Sequence, residues 1–220
     1  LGPVKFTIDY TPPKLETVGI EDGAFVQKGK SVQIKVNEHN YKFNNVDIAV
    51  KKDGGDYSIG EWKNTAEDSQ LSYQFDEDGD YEIRVKAKDK AGNEAEEQKL
   101  NFTVDNIKPA IKVTGVTDGS FYNDSRDVNI SVDERNFANN NVRLKVTRKV
   151  EVDGVKMNYS IGEWKNVARL SELGYEFEKD GDYEITVSAT DAAGNEAAVQ
   201  SILFTIDKVE PELSITGVED

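Results

Sequence analysis

The sequence has no cysteine and a single histidine, His39. Without thiols there is no disulfide framework and no cysteine nucleophile, so stability has to come from packing. That absence does not exclude a cytosolic setting, because cytosolic proteins also lack disulfides. No apolar run approaches the roughly 20 residues of a membrane-spanning helix, and no signal peptide stands at Leu1. No serine sits in a G-x-S-x-G turn. Basic charge is scarce: 27 Lys and Arg stand against 42 Asp and Glu, for a net charge of −15. A polyanion of this kind is repelled by nucleic-acid phosphates and by anionic membranes, so neither is an expected partner. Carboxylates abound, but a general acid–base pair needs a shaped, desolvated cleft, and these are spread over solvent faces. No catalytic residue is assigned, and an enzyme is not expected.

What the chain does contain is a stretch that occurs twice: DGDYEIRVKAKDKAGNEA at 78–95 and DGDYEITVSATDAAGNEA at 180–197, displaced by 102 residues. Asp78-Gly79-Asp80 is turn chemistry. Tyr81, Ile83, Val85 and Ala87 then alternate with polar residues, as do Tyr183, Ile185, Val187 and Ala189. That period of two marks a half-buried strand. Asp89 to Asn93 and Asp191 to Asn195 close as short hairpins around Ala-Gly-Asn. Other segments repeat as well. YSIGEWKN recurs unchanged at 57–64 and 159–166, and Val32, Ile34, Val36 return as Val128, Ile130, Val132. Between Val50 and Ile59 there are eight residues, and between Val146 and Ile161 there are fourteen. A hairpin at Asp53-Gly54-Gly55 therefore lengthens to one carrying Asp153-Gly154, at little cost because loop entropy grows logarithmically. The pattern predicts seven or eight short strands per repeat. A single helical turn is expected at Glu67–Leu71 and again at Val167–Leu173.

The pattern G-x-Y-x-I at Gly79–Ile83 and Gly181–Ile185 resembles the tyrosine corner of immunoglobulin-like sandwiches. There a Tyr opens a central strand and its hydroxyl bonds back to the backbone. Ile83 and Ile185 stand where antibody domains carry a Cys, so the inter-sheet disulfide is excluded. The longer string G-x-Y-x-I-x-V-x-A-x-D-x-A-G-N-E resembles the tandem Ig-like repeats of bacterial surface proteins and secreted multidomain enzymes. The resemblance implies an all-β chain of two tandem Ig-like antiparallel β-sandwich domains. FTIDYTPP from Phe6, FTVDNIKP from Phe102 and FTIDKVEP from Phe204 place the boundaries. Residues 1–9 read as the end of a preceding repeat, 10–105 and 106–207 as the two domains, and 208–220 as the start of a following repeat.

No metal or cofactor is assigned from the sequence; Ca²⁺ is a candidate, with Asp105, Glu134, Asp191 and Asn195 as its candidate ligands. FDEDGDYE at 75–82 is dense in Asp but is no EF-hand loop, because Gly79 is the fourth residue from Asp76 and not the sixth. The topology of such a sandwich instead brings the linker Asp105 towards Glu134 and Asp191, with Asn195 nearby and Asp78 and Asp80 opposite. Asp9, Glu38, Asp89 and Asn93 form the same constellation one repeat earlier. Carboxylates around a Pro-containing joint can hold Ca²⁺ and stiffen it, as in cadherin-like arrays. The preferred reading is that Asp89 and Asp191 begin hairpins and Asp105 caps a strand, bonding backbone N–H groups. Trp62 and Trp164, with Tyr57 and Tyr159, suit either a carbohydrate platform or packing. Many Gram-positive Ig-like domains carry a Lys–Asn isopeptide bond. Lys14 and Asn101 are a conceivable pair, but Ala110 and Leu203 replace them in the second repeat.

The expected function is a structural spacer of a bacterial surface or secreted protein, extracellular and monomeric, that presents a distal domain. Its partners would be the neighbouring repeats. The alternative is an adhesin module for host glycan or matrix protein. Pro-containing linkers limit bending, and an elongated particle is the expected result of small-angle scattering.

Overall fold

The computed structural model describes residues 2–149 and 156–217. The chain divides into two compact units, Leu1–Asn106 and Ile107–Asp220.

In the first unit the period-two segments become eight strands: β1 (Lys14–Val18), β2 (Ala24–Val26), β3 (Lys30–Asn37), β4 (Asn45–Lys52), β5 (Gly55–Asp56), β6 (Asp68–Phe75), β7 (Gly79–Lys88) and β8 (Gln98–Val104). They form a three-stranded sheet, β1-β3-β6, and a five-stranded sheet, β2-β8-β7-β4-β5. All pairs are antiparallel except β2 with β8, which run parallel. Between the sheets lie Val32 and Ile34 from β3, Phe75 from β6, Tyr81, Ile83 and Val85 from β7, and Leu100, Phe102 and Val104 from β8. The polar residues that alternate with them face outward, so a one-residue slip would invert the faces of each strand.

The second unit repeats this plan with β9 (Ala110–Thr114), β10 (Ser120–Tyr122), β11 (Arg126–Asp133), β12 (Asn141–Lys149), β13 (Lys156–Asn158), β14 (Leu170–Phe177), β15 (Gly181–Thr190) and β16 (Gln200–Ile206). Its sheets are β14-β11-β9 and β10-β16-β15-β12-β13. Asp153-Gly154, the expected turn of the longer hairpin, lies outside the described residues.

Both tyrosine corners form. The Tyr81 hydroxyl donates to the Glu77 carbonyl at 2.8 Å, and the Tyr183 hydroxyl to the Lys179 carbonyl at 2.6 Å. Each ring stacks on the phenylalanine opposite it in the last strand, Phe102 or Phe204.

The helical turns expected at 67–71 and 167–173 are absent. Strands β6 and β14 begin there instead, because Ser69 and Ser171 satisfy the backbone of the preceding turn. The Ser69 Oγ accepts from Thr65 and Ala66 N–H and donates to the Ala66 carbonyl. Ser171 does the same with Val167 and Ala168. Among the described residues the helical turns, both 3₁₀, sit in the polar loops at Tyr41–Phe43 and Phe137–Asn139.

Candidate metal site

Three segments of the first unit converge at one end of its sandwich. Asp9 belongs to the stretch before β1. Glu38 is the residue after β3, and Asp89 the residue after β7. Their carboxylate oxygens lie within 4.8 Å of one another. Glu38 is 4% exposed and Asp89 6%, while Asp9 is half-buried.

Local chemistry places each group. The Asp89 Oδ1 accepts from the N–H groups of Gly92 and Asn93 at 2.7 and 2.8 Å, and its Oδ2 accepts from the Asn93 amide at 2.7 Å. Burial pushes the Asp89 carboxyl up, but the Asn93 side chain and the backbone N–H groups of Asn93, Gly92 and Ala91 outweigh it and hold the group below its ordinary value. The carboxylate is therefore charged where it sits. Glu38 turns its loop by accepting from the Asn40 N–H at 2.8 Å. The Asn40 side-chain amide donates to the Asp9 Oδ2 at 2.9 Å, and the Asn93 amide to the Asp9 carbonyl at 3.0 Å.

Among the described residues no lysine or arginine pairs with any of the three carboxylates. Lys90 lines the adjoining hollow of about 340 Å³ with Asp9, Asn40 and Asp89, but its ammonium stands over the Phe43 ring at 4.3 Å. Two like charges at this separation repel by about 3 kcal/mol at an effective dielectric of 20. Burial without a counter-charge adds to the cost. Carboxylate and carbonyl oxygens are the ligands of a hard divalent cation, and Ca²⁺ takes six to eight of them. The donor set of Asp9, Glu38 and Asp89, with the carbonyl of Asp9 beside it, fits that chemistry. No nucleophile joins the cluster: His39 is exposed and faces Glu67 at 3.7 Å.

In the second unit Glu134, Asp191 and Asn195 are buried. Glu134 accepts from the Asn136 N–H at 2.8 Å. Asp191 accepts from the Asn195 N–H at 2.8 Å and the Asn195 amide at 2.7 Å. Asp105, in the first unit, follows β8 and donates its N–H to the Val26 carbonyl. Asp78 and Asp80 bond within the first unit, Asp78 accepting from Asn106 and Asp80 from the Thr103 hydroxyl. Asn40 and Asn136 escaped the reading of the sequence as ligand-loop anchors. Their signal was there, an asparagine two residues after each buried glutamate.

The tryptophans are packing residues. Trp62 and Tyr57 lie against the first core, and Trp164 and Tyr159 against the second. Each indole N–H donates to an asparagine two residues on, Asn64 or Asn166, at 2.7 Å. Lys14 lines a hollow with Asn37 and Asp68, whereas the Asn101 amide bonds Asp22.

Two tyrosine-cornered sandwiches of eight strands define the class as immunoglobulin-like. Residues 30–106 match a family described as bacterial Ig-like domain, and residues 110–208 match a second family of the same description. The chain is thus a tandem of two adjacent bacterial Ig-like domains. No curated protein matches it. Among solved structures it is similar to the fibronectin(III)-like modules of Clostridium thermocellum CbhA, at 16% identity over 92% of this chain and 100% of that one, with a TM-score of 0.34. It is also similar to the I-band fragment I67–I69 of titin, at 14% identity over 90% and 66%, with a TM-score of 0.44. No helix among the described residues is long and apolar enough to cross a membrane.

Proposed function

We propose that this chain is a non-catalytic spacer of a bacterial surface or secreted multidomain protein, working outside the cell, with calcium at Asp9, Glu38 and Asp89. One observation carries the reading. Three carboxylates from three segments meet within 4.8 Å with no basic partner. One of them, Asp9, belongs to the stretch that enters the sandwich. An ion there ties that stretch to the loops after β3 and β7. Pro12 and Pro13 follow after Tyr10 and Thr11 and restrict the backbone of the same stretch. The neighbouring repeats of the polypeptide are the partners of such a module. The adhesin reading gains no support from Trp62, which is committed to the core.

Isothermal titration with calcium tests the site, with Glu38→Gln as the variant. This substitution keeps one side-chain oxygen to accept from Asn40 and removes the charge together with the second carboxylate oxygen. The native chain is expected to bind calcium, and Glu38→Gln to lose at least one equivalent. Unchanged binding in the variant overturns the assignment. Glu134→Gln tests whether the chemistry recurs in the second repeat, where Asp105 is the sequence counterpart of Asp9.

A further inference from the structure

Three rows of inward-facing residues end in polar side chains at one end of the first sandwich. In β3 the row Val32, Ile34, Val36 continues to Glu38, and in β7 the row Ile83, Val85, Ala87 continues to Asp89. In β4 the row Val50, Ile48, Val46 continues backward to Asn44. Asn45 pairs with Lys88, which sets Asn44 across the ladder from Asp89. Facing positions on paired strands carry their side chains on the same face of the sheet. Glu38 comes from the opposite sheet, and its carboxylate lies within 4.8 Å of that of Asp89.

Asn44 is the anomaly of this group. It is 7% exposed, and its backbone is satisfied: the N–H donates to the Tyr41 carbonyl at 3.2 Å, and the carbonyl accepts from the Asn64 amide at 2.6 Å. Its side chain is not. Neither the Oδ1 nor the Nδ2 of Asn44 has a hydrogen-bond partner among the described residues. Buried amides are nearly always bonded, because an unpaired one has given up its hydration for nothing. The second sandwich repeats the anomaly with its own residues. Asn141 pairs with Thr190, so Asn140 faces Asp191. Asn140 is 8% exposed, its carbonyl accepts from the Asn166 amide at 2.6 Å, and its Oδ1 has no partner among the described residues.

We infer that Asn44 supplies a neutral oxygen ligand to the divalent cation at Asp9, Glu38 and Asp89, and that Asn140 holds the corresponding position beside Glu134 and Asp191. The inference rests on the calcium reading of the first cluster. An amide oxygen is a hard ligand of the kind Ca²⁺ takes alongside carboxylates. It adds coordination without adding to the repulsion among three like charges. The arrangement also gives the packed tryptophan a part in the site. The Trp62 indole N–H holds the Asn64 Oδ1, and the Asn64 amide holds the Asn44 carbonyl. Trp62 and Asn64 are thus positioning residues, and Asn44 is the ligand they place.

Calcium titration followed by amide nuclear magnetic resonance tests this. The N–H groups of Asn40 and Asn93 donate to Glu38 and Asp89, so their shifts report on this cluster alone. The native chain is compared with Asn44→Leu, Asn44→Asp and Glu38→Gln, and each is also melted in chelator and in calcium. Asn44→Leu keeps the bulk and removes both polar groups. It should weaken calcium binding by about 10-fold or more, yet melt at or above the native midpoint in chelator, because an unbonded buried amide is gone. Asn44→Asp keeps an oxygen and adds a charge. It should bind at least as tightly as the native chain, melt lower in chelator, and gain more from calcium than the native chain does. If Asn44→Leu binds like the native chain while Glu38→Gln is weakened, the role of Asn44 is overturned and the carboxylate site stands. Should Asn44→Leu fail to fold, a calcium-induced rise in Asn44→Asp no larger than the native one overturns it equally. An amide that only holds a buried water gives Asn44→Leu the same change in midpoint in chelator and in calcium, which also overturns it. If calcium moves neither Asn40 nor Asn93 in the native chain, the calcium reading falls and the inference with it.

Discussion

Gly115 shows how a single residue holds its turn. Its φ is +96°, and a Cβ at this position would lie 1.8 Å from the Asp127 carbonyl oxygen. Gly19 makes the same close approach to Ser31, at 2.2 Å. Gly115→Ala therefore meets both backbone strain and overlap with a neighbouring strand. A loss of about 2–4 kcal/mol is expected in urea unfolding of the second sandwich, from strain and overpacking together. The buried tyrosines make a second prediction at this scale. Burial pushes the Tyr81 and Tyr183 phenols up to about 12. The hydrogen bond to Tyr57 or Tyr159, followed by burial, takes Tyr73 and Tyr175 to about 12 as well. A phenol with a raised folded pKa favours the fold while it is protonated. That contribution is complete below the ordinary value of 10 and is lost as pH rises through 12. Stability should therefore fall between pH 10 and 12, with these four rings ionising late in ultraviolet titration. The tyrosine corner was legible in the sequence because Gly-x-Tyr-x-Ile stands at a strand start. The Tyr57–Tyr73 and Tyr159–Tyr175 hydroxyl pairs were not, since their partners lie 16 residues apart in segments of different character.

At the scale of elements, alternation revealed the long strands and failed wherever side chains capture the backbone. In an extended strand Ile59 and Trp62 of YSIGEWKN, three residues apart, would lie on opposite faces. The segment carries no strand, and Gly60 at φ +101° redirects it so that Ile59 and Trp62 reach the same core. Period two does not govern a segment without a ladder. Trp62→Ala is accordingly expected to cost about 3–5 kcal/mol, seen as a lower melting midpoint of the first sandwich. A binding defect without destabilisation would contradict the packing role. The carboxylate cluster was legible for a different reason. Glu38 and Asp89 follow β3 and β7, strands of opposite sheets, and the Ig-like plan brings the loops after them to the same end of the sandwich. The Asn40 bridge to Asp9 was hidden, because it depends on a 3₁₀ turn that no periodicity announces.

At the scale of the whole molecule, two sandwiches with separate cores carry a net charge of −15. Dispersed surface acids keep such a chain soluble, and salt screens them. The trio at Asp9, Glu38 and Asp89, the first half-buried and the other two buried, is a different matter: on the calcium reading, losing one charge relieves repulsion without the ion and removes a ligand with it. Its effect on stability should therefore change sign with calcium. In chelator, Glu38→Gln is expected to melt at or above the native midpoint, because one buried charge is gone. In calcium the order should reverse.

The most direct measurement is a thermal melt of the native chain and Glu38→Gln, each in calcium and then in chelator. Free calcium at 100 times its dissociation constant stabilises by about 2.7 kcal/mol, a rise of roughly 10 °C or more for a domain of this size. The native midpoint should rise by that order and the variant's by clearly less, with the two curves crossing between conditions. Equal midpoints with and without calcium in the native chain would contradict the account and leave Asp9, Glu38 and Asp89 as turn-forming residues alone.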